Sequence, residues 1–401
     1  MDDSLSAVFT IEGEMLCVKG HQSTRLIPCT LQEVSAHENS LFLTGKADTR
    51  ERPDLFRFNL GPVSGGLLES VRMDVYTDGE RMAHISPDVL FKNRQPAMKS
   101  SEAPAALLKA ERINGAYSAA FSTAFCMAAE EIGGIEPPHE VKLARILMTE
   151  VERIANHIHV IAKLTEGASQ NVAAQHLFAL EERTRRIASE HFGHRYFFGV
   201  NGIGALERGL DTRSLAPKVE GVAHEFASIW EDLTSSRLFL DRLQTTCRAD
   251  YEWMVGPAVR AADFRYDSRL SGYLPYSDLS FEVATDDTGD VLSRALVRQK
   301  EIEISSILVD EVCHSMKGAA RGSSEKVRGR GWAVKRVETP GGDMLMLLGL
   351  ADSIVTDFDI RSASAANLLA FVQSATSGIL TDFTFGWESF GFWISELGGY
   401  S

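Results

Sequence analysis

The feature that most constrains the fold is a long amphipathic segment at residues 140–164. Apolar side chains recur there every three or four positions, at Leu143, Leu147, Val151, Ile154, Ile158 and Ile161. This spacing predicts one long helix whose apolar stripe packs against a core. Glu150, Arg153 and His157 form a polar stripe beside it, because each residue advances roughly 100° around a helix. Two interpretations of this polar stripe are open, an ion-paired boundary of a packed helix or a functional site.

The rest of the chain is predicted to combine β-rich ends with a helical middle. Further helices are predicted where the apolar period is that of a helix, at 176–190, 215–243, 290–308 and 366–377. Strands are predicted in alternating segments bounded by turn residues, at 7–11, 15–19, 40–45, 55–60, 68–76, 81–85, 332–337 and 344–348. We therefore expect an α+β fold that is predominantly α. It would have a long-helix bundle as its core, a β-rich N-terminal region and a small mixed C-terminal region.

These elements predict four regions along the 401 residues. Residues 1–60 form a β-rich N-terminal region of unknown role, and residues 61–100 form a β-sheet subdomain. Residues 101–330 form the helical core, and residues 331–401 supply strands and a helix that close it. The basic segment 317–330 is expected to be a surface loop and a candidate docking patch.

Composition narrows the classes of partner. The formal charge is −14, which argues against a nucleic-acid surface. The sequence has no run of eighteen or more apolar residues, so the chain is not expected to span a membrane by itself. The N-terminal stretch is acidic and lacks the apolar core of a signal peptide, which favours a cytoplasmic location.

The cysteines and histidines do not predict a metal site within the chain. The five cysteines form no C-x-x-C pair, so neither a disulfide framework nor a local four-cysteine zinc or iron-sulfur site is expected, unless distant cysteines converge. Gly193 is expected to end a helix between His191 and His194, which separates these two histidines. His157 and His159 are two residues apart and therefore lie on different faces of their helix.

One run of residues resembles a known family. Residues 111–118 read E-R-I-N-G-A-Y-S, similar to the E-R-x-C-G-x-C-S segment of nickel-iron hydrogenase large subunits. Residues 145–157 resemble the R-x-x-x-x-E-x-x-R-I-x-x-H helix that those subunits share with the quinone-site subunit of respiratory complex I. This second segment contains the polar stripe.

Further motifs follow in the order of the family. Residues 256–261 resemble G-P-x-x-R-A, and Asp267 with Arg269 matches a D-x-R. Residues 289–301 resemble a G-D-x-x-x-R helix continued by Arg298 and Glu301, and residues 338–343 resemble E-A-P-R-G-E. Residues 361–368 resemble R-x-P-S-x-x-N-L. The turn at 61–69 is most similar to that of membrane-bound, energy-converting hydrogenases, the branch of the formate hydrogenlyase large subunit.

The departures from the family lie in the residues that carry its chemistry. The family holds nickel and iron with four thiolates in two C-x-x-C pairs, since soft ligands suit these metals. Here the first pair is Asn114 and Tyr117, and residues 351–362 contain no cysteine. In complex I a histidine and a tyrosine hold the quinone head. Their positions are Ser64 and Gly115 here, with Tyr117 as a candidate substitute.

The resemblance therefore implies a large-subunit-like component of a complex-I-like or hydrogenase-like oxidoreductase whose metal site is lost. It implies no cofactor bound by this chain, an iron-sulfur cluster in a small partner subunit, membrane subunits as further partners, and a quinone as candidate acceptor. The complex would lie on the cytoplasmic face of the cell membrane. The alternative is a catalytically silent scaffold or assembly subunit.

The resemblance also implies a charged interior that faces the partner's cluster. Its candidate catalytic residues are Glu150, Arg153, His157, Arg260 and Asp267, with Arg112 and Arg298 in the same interior. The candidate cofactor-binding positions are Tyr117, Ser64 and Gly115, and no metal ligand is expected.

Overall fold

A computed structural model describes residues 5–11, 14–20, 22–29, 52–62, 69–89, 96–317 and 322–397. The predicted strand at 40–45 and the candidate residue Ser64 lie outside the described residues.

Helices fill the middle of the chain and return near its end. They are α1 (Ala103–Ala110), α2 (Ser118–Gly133), α3 (His139–Gly167), α4 (Asn171–Phe192), α5 (Leu215–Ser235), α6 (Arg237–Leu243), α7 (Pro257–Arg260), α8 (Val291–Ser315), α9 (Ala363–Ala375) and α10 (Phe383–Phe390). Helix α3 is central, because it packs against α2, α4, α8 and α10. The predicted helix at 140–164 is confirmed, and its polar stripe is as deeply buried as its apolar one.

The other predicted helices are confirmed with shifted ends. Helix α4 begins earlier than predicted, and α8 continues beyond residue 308 to Ser315. The prediction of a single helix at 215–243 was wrong, because Ser236 has extended backbone and separates α5 from α6. Helix α10 was not predicted.

The strands form small antiparallel sheets. They are β1 (Leu5–Ile11), β2 (Glu14–Lys19), β3 (Ile27–Pro28), β4 (Phe56–Leu60), β5 (Arg72–Asp78), β6 (Arg81–Asp88), β7 (Asn201–Gly202), β8 (Ala205–Leu206), β9 (Arg330–Thr339), β10 (Gly342–Ala351) and β11 (Ile354–Arg361). Three sheets have the orders β1-β2-β3, β4-β5-β6 and β11-β10-β9, and β7 pairs with β8. The α+β, predominantly helical fold class is confirmed.

Two contacts concern the four regions that the sequence predicts. Strand β4 pairs with β5, so the predicted boundary between residues 60 and 61 falls within one sheet. The N-terminal hairpin packs on the C-terminal sheet, and Phe9, Val18, Val334 and Leu347 lie in one buried cluster between them. Strand β11 was not predicted, although apolar and polar residues alternate in its second half. It pairs with β10 along most of its length.

A close backbone approach brings α7 against the turn between β9 and β10. Gly256 has φ +66°, and a Cβ atom there would lie 2.2 Å from the carbonyl oxygen of Gly341. Gly342, on the other side of the contact, has φ +133°. Only glycine combines a left-handed backbone with this proximity. The contact places Arg260, at the end of α7, beside the end of β9.

A left-handed backbone alone costs an alanine about 1–2 kcal/mol. We expect Gly256→Ala to lower the free energy of unfolding by more than this amount, because the new methyl group also meets the Gly341 backbone. Denaturant unfolding followed by circular dichroism measures this change. Gly221→Ala is the matched control, since Gly221 lies in α5 and no heavy atom lies within 4 Å of the position that its new methyl group would take. Equal midpoints for Gly256→Ala and the unaltered protein would contradict the packing described.

Candidate functional site

Charged side chains from separate segments meet in the interior beside α3. Glu150, Arg153 and His157 project from α3 along one stripe, as their spacing predicts. Arg260 ends α7, and Glu301 lies midway along α8. The remaining members are Asp267 and Arg269 at a short 3-10 helix and Glu338 near the end of β9. All are buried.

Arg260 is the centre of this charged network. Its Nη2 lies 2.6 Å from Glu301 Oε1, and its Nη1 donates to Glu338 Oε1 at 2.8 Å. The same Nη1 lies 3.6 Å from Asp267 Oδ2. Glu301 in turn contacts His157, with 2.7 Å between Oε2 and the ring Nε2. One guanidinium group thus links α7, α8 and β9.

Glu150 forms the second half of the network. Its carboxylate accepts hydrogen bonds from Tyr276 (2.6 Å) and Ser305 (2.6 Å) and faces Arg269 Nη1 at 3.2 Å. Arg153 Nε lies 3.3 Å from the same carboxylate, and its Nη1 and Nη2 donate to the carbonyls of Thr339 and Glu338. Helix α3 is therefore tied to the β9–β10 turn through main-chain acceptors.

The ion pairs of the network join three arginines to four carboxyl groups. They are Arg153, Arg260, Arg269, Glu150, Asp267, Glu301 and Glu338. Burial alone would raise the pKa of Glu301, but Arg260 and His157 lower it well below its ordinary value. Burial and the charge of Asp267 raise the pKa of Glu338, and burial lowers the pKa of His157 to about 4. At neutral pH, Glu338 is therefore the carboxyl group in the network that is most readily protonated.

The network approaches solvent near the end of β9. Glu338 Oε2 accepts from the backbone N–H of Ser268 at 3.0 Å, and Ser268 Oγ donates to Asp343 Oδ1 at 2.5 Å. Asp343 also pairs with Arg336 at 2.5 Å. A cavity of about 40 Å³ is lined by these residues, which is room for about two or three water molecules.

The position of the family's first thiolate pair is filled by side chains bonded within the protein. Asn114 Nδ2 donates to Glu396 Oε1 at 2.7 Å, and the Tyr117 hydroxyl donates to Asn156 Oδ1 at 3.4 Å. Both Asn114 and Tyr117 are buried. An amide and a phenol do not fit the soft-ligand requirement of a nickel-iron centre. No group of three or more metal-ligating His, Cys, Asp or Glu side chains occurs in the described part of the chain.

A larger cavity is lined in part by Trp393. It has a volume of about 410 Å³, and Gly115 and Asn114 line it. Trp393 packs edge-on against Tyr117, with 6.1 Å between ring centroids. Of the predicted cofactor-binding positions, Gly115 therefore borders the cavity, Tyr117 is buried and is not among the residues that line it, and Ser64 lies outside the described residues.

The structure brings the five candidate catalytic residues together. Of the two further arginines that were predicted to lie in the same interior, Arg112 and Arg298, it places only Arg298 there. Arg112 is not in the interior, because its side chain is 52% exposed and its guanidinium group lies over the Phe198 ring. Arg298 is buried beside the network and donates to the carbonyls of Ser389 and Phe390. Burial lowers the pKa of Arg298 to about 10.

Some members of the network were not among the predicted site residues. Arg269, Glu301 and Glu338 lie in motifs that the family resemblance already contains, so those motifs were an available signal. Tyr276 and Ser305 carry no such signal. They join only because the fold places them against Glu150.

We expect Arg260→Met to lower the free energy of unfolding by about 3–5 kcal/mol, because it leaves Glu301 and Glu338 buried without their shared cation. The double variant Arg260→Met/Glu301→Gln should recover part of that loss. Denaturant midpoints measure both changes. The control is Arg237→Met, since Arg237 is 93% exposed and lies 3.8 Å from Asp241. An Arg260→Met midpoint equal to that of the control would refute the central position of Arg260.

The buried Glu396 should make stability depend on pH. Burial raises the pKa of Glu396 to about 7, whereas an unfolded glutamate has a pKa near its ordinary value of about 4.3. The folded state thus holds a proton that the unfolded state has already released. The stabilising contribution of this proton is complete below the unfolded pKa and is lost as pH rises through about 7. We expect melting temperatures of Glu396→Gln to fall less between pH 4.5 and 7.5 than those of the unaltered protein. Parallel curves would contradict this assignment.

Comparisons with known proteins agree with this architecture. Residues 173–330 match the model of the 49 kDa subunit family of respiratory-chain NADH dehydrogenase. The chain is 25% identical to the D subunit of NADH-quinone oxidoreductase of Protochlamydia amoebophila over 282 residues, 67% of this chain and 70% of that protein. It is 23% identical to the D 1 subunit of the same enzyme of Chloroherpeton thalassium over 372 residues, 81% of this chain and 83% of that protein.

A solved structure shows the same fold. It is that of the membrane-bound sulfane sulfur reductase, described as an archaeal respiratory membrane complex, and it is 20% identical in sequence with a TM-score of 0.79. The match covers 87% of this chain and 99% of the other. Among the described residues, no helix is long and apolar enough to cross a membrane. The chain is thus similar to the 49 kDa subunit family of respiratory-chain NADH dehydrogenase over residues 173–330, and to D subunits of NADH-quinone oxidoreductase over two thirds or more of its length.

Proposed function

We infer that this chain is a redox-coupling subunit of a membrane-attached respiratory complex, without the nickel-iron chemistry of the hydrogenases. In this proposal a small partner subunit with an iron-sulfur cluster supplies electrons, and a quinone is the candidate acceptor. Membrane subunits anchor the assembly at the cytoplasmic face. The names of the relatives, an NADH-quinone oxidoreductase and a respiratory membrane complex, support this class of assembly.

The observation that carries the proposal is the unbroken series of contacts from His157 to a solvent cavity. It passes from His157 to Glu301 at 2.7 Å, to Arg260 at 2.6 Å and to Glu338 at 2.8 Å. Ser268 then connects Glu338 to Asp343. A change of charge near His157 is therefore transmitted through buried groups, where charges interact strongly because little water screens them.

The chain's own residues suit a transfer of protons and charge. Glu338 and Glu301 share Arg260, so protonation of one carboxyl group strengthens the attraction of Arg260 to the other. Glu338 holds the proton most readily and lies at the cavity next to Ser268. In this proposal, Glu338 exchanges a proton with water in that cavity when the charge beside the network changes.

Hydrogen activation at nickel is not part of the proposed function. Asn114 and Tyr117 are bonded to Glu396 and Asn156, and neither supplies a thiolate. We expect metal analysis of the purified complex to find less than stoichiometric nickel for each copy of this chain, while iron of the partner subunit is retained. One nickel for each chain would overturn this part of the proposal.

The coupling role is tested by Glu338→Gln in the assembled complex. Glutamine keeps a side chain of similar size but cannot exchange the proton. We expect a decrease of about tenfold or more in electron transfer coupled to proton uptake, because general acid–base groups typically contribute this much or more. Rates are measured with membranes that contain the complex, and subunit composition is measured on the same preparation.

Glu231→Gln is the matched control, because Glu231 is exposed on α5. Normal assembly with unchanged electron transfer in Glu338→Gln would contradict the coupling role. That result would favour the alternative, a catalytically silent scaffold that keeps only the fold and its binding surfaces. Loss of assembly in Glu338→Gln alone would also favour the scaffold.

A further inference from the structure

Two buried arginines on α8 have only uncharged acceptors among the described residues. Arg294 and Arg298 are four positions apart, so their side chains lie on the same face of the helix. Each nitrogen of the Arg294 guanidinium group donates, to the Ser389 hydroxyl or to a backbone carbonyl. For Arg298, Nη2 donates to the carbonyls of Ser389 and Phe390. The Nε and Nη1 atoms of Arg298 are buried and have no acceptor in the described part of the chain.

Helix α3 contributes a second buried donor to the same region. The Arg298 guanidinium group lies between α3 and the end of α10, since a Cβ atom at Gly391 would lie 2.9 Å from its Nη2 and 3.4 Å from Val160 Cγ2. One turn before Val160, the Nδ2 atom of Asn156 is buried and finds no acceptor among the described residues. Its Oδ1 accepts from the Tyr117 hydroxyl at 3.4 Å. Burial lowers the pKa of Arg298 and Tyr117 raises it in part, so Arg298 and Asn156 both lie close to Tyr117.

The positive charge of Arg298 is not neutralised by an ion pair in the described part of the chain. Glu301 attracts it, but one oxygen of Glu301 lies 2.6 Å from Arg260 and the other 2.7 Å from His157. With Glu338 protonated, the three arginines of the network face three carboxylates, which leaves no spare negative charge. The pKa of Arg298 is lowered only to about 10, so its guanidinium group stays charged at neutral pH. A buried charge without a counter-charge is costly, and a bound anion offsets that cost.

The chemistry of the unused atoms favours a small anion with one charge. The Nε and Nη1 atoms of Arg298 and the Nδ2 atom of Asn156 all donate and cannot accept. The site is buried, and the cost of removing an ion from water rises steeply with its charge. His157 Nδ1 is an unpartnered acceptor nearby, but its ring is neutral at pH 7 because burial lowers its pKa to about 4. Neither Arg298 nor Asn156 lines the cavity of about 410 Å³.

We propose that the protein binds a small monovalent anion, such as chloride, between α3 and α8, held by Nε and Nη1 of Arg298 and Nδ2 of Asn156. The anion neutralises Arg298 and joins the two helices through hydrogen bonds from both. It therefore stabilises the folded chain. The proposal goes beyond the redox coupling inferred above, since anion binding needs neither electron transfer nor a proton on Glu338.

Thermal unfolding of the full-length protein at pH 7 tests the proposal, with sodium chloride replacing sodium gluconate at constant ionic strength. Gluconate is too large for an enclosed site, and constant ionic strength removes the effect of general screening. A ligand that binds only the folded state raises the unfolding temperature. We expect a rise of about 2 °C or more that saturates with chloride. Equal unfolding temperatures in chloride and gluconate would overturn the proposal.

Variants assign the chloride effect to this site. Asn156→Asp keeps the size of the side chain and places a carboxylate beside Arg298, so its unfolding temperature should no longer depend on chloride. Arg298→Met removes the charge that the anion neutralises and should also abolish the dependence. Arg237→Met is the control that should retain it, because Arg237 is 93% exposed. A full chloride effect in Asn156→Asp would refute the assignment, even if Arg298→Met does not fold.

Anomalous diffraction from crystals grown in sodium bromide locates the anion directly. We expect a bromide peak within hydrogen-bonding distance of Arg298 Nη1 and Asn156 Nδ2. Density without an anomalous signal at this position would identify water there and refute the anion.

These results are separable from the redox proposal. Absence of the chloride effect, together with slower electron transfer in Glu338→Gln, would refute only the anion site. A chloride effect that Asn156→Asp abolishes, with unchanged electron transfer in Glu338→Gln, would refute only the coupling role.

Discussion

The contact on which the interior depends is the placement of Arg260 between Glu301 and Glu338. Burying a guanidinium group costs free energy, and close carboxylates offset that cost. Its partners come from α8 and β9, and the Glu301 carboxylate also meets His157 on α3. The close approach of Gly256 to Gly341 places Arg260 at this position. The backbone contact that holds α7 against the β9–β10 turn therefore also determines where the positive charge of the candidate site lies.

The same contact gives the network one group that is poised to change charge. Three arginines pair with four carboxyl groups, and Glu338 has the raised pKa. Because these groups are coupled, a change of charge beside them shifts the protonation of the whole set and not of one group alone. The small cavity at Ser268 and Asp343 gives that response a route to solvent. By contrast, Asn114 and Tyr117 are bonded to Glu396 and Asn156 and supply no thiolate, so the chemistry that we propose uses the Arg260 network instead.

Much of the helical core could be predicted from the sequence, because local periodicity determines which face of a helix is buried. Helix α3 and its stripe of Glu150, Arg153 and His157 follow from spacing alone, and the family motifs added Arg260 and Asp267. Spacing does not reveal partners that lie far apart in the chain. His157 and Glu301 are 144 residues apart in the sequence, and Tyr276 and Glu150 are 126 residues apart. The prediction that Arg112 lies in the interior was wrong. Its motif implies a position beside the interior, but its side chain turns outward over Phe198. Strand β11 was missed because its sequence contains two aspartates, a residue type that is depleted in strands.

The claim that most needs a direct measurement is that the Glu338 proton responds to the redox state of the assembled complex. Infrared difference spectroscopy of the complex between its oxidised and reduced states measures this protonation, since a protonated carboxyl group has its own carbonyl stretching band. We expect a carboxyl band that changes on reduction, shifts in deuterated water and disappears in Glu338→Gln. Identical difference spectra for the unaltered complex and for Glu338→Gln would refute a redox-linked proton on Glu338.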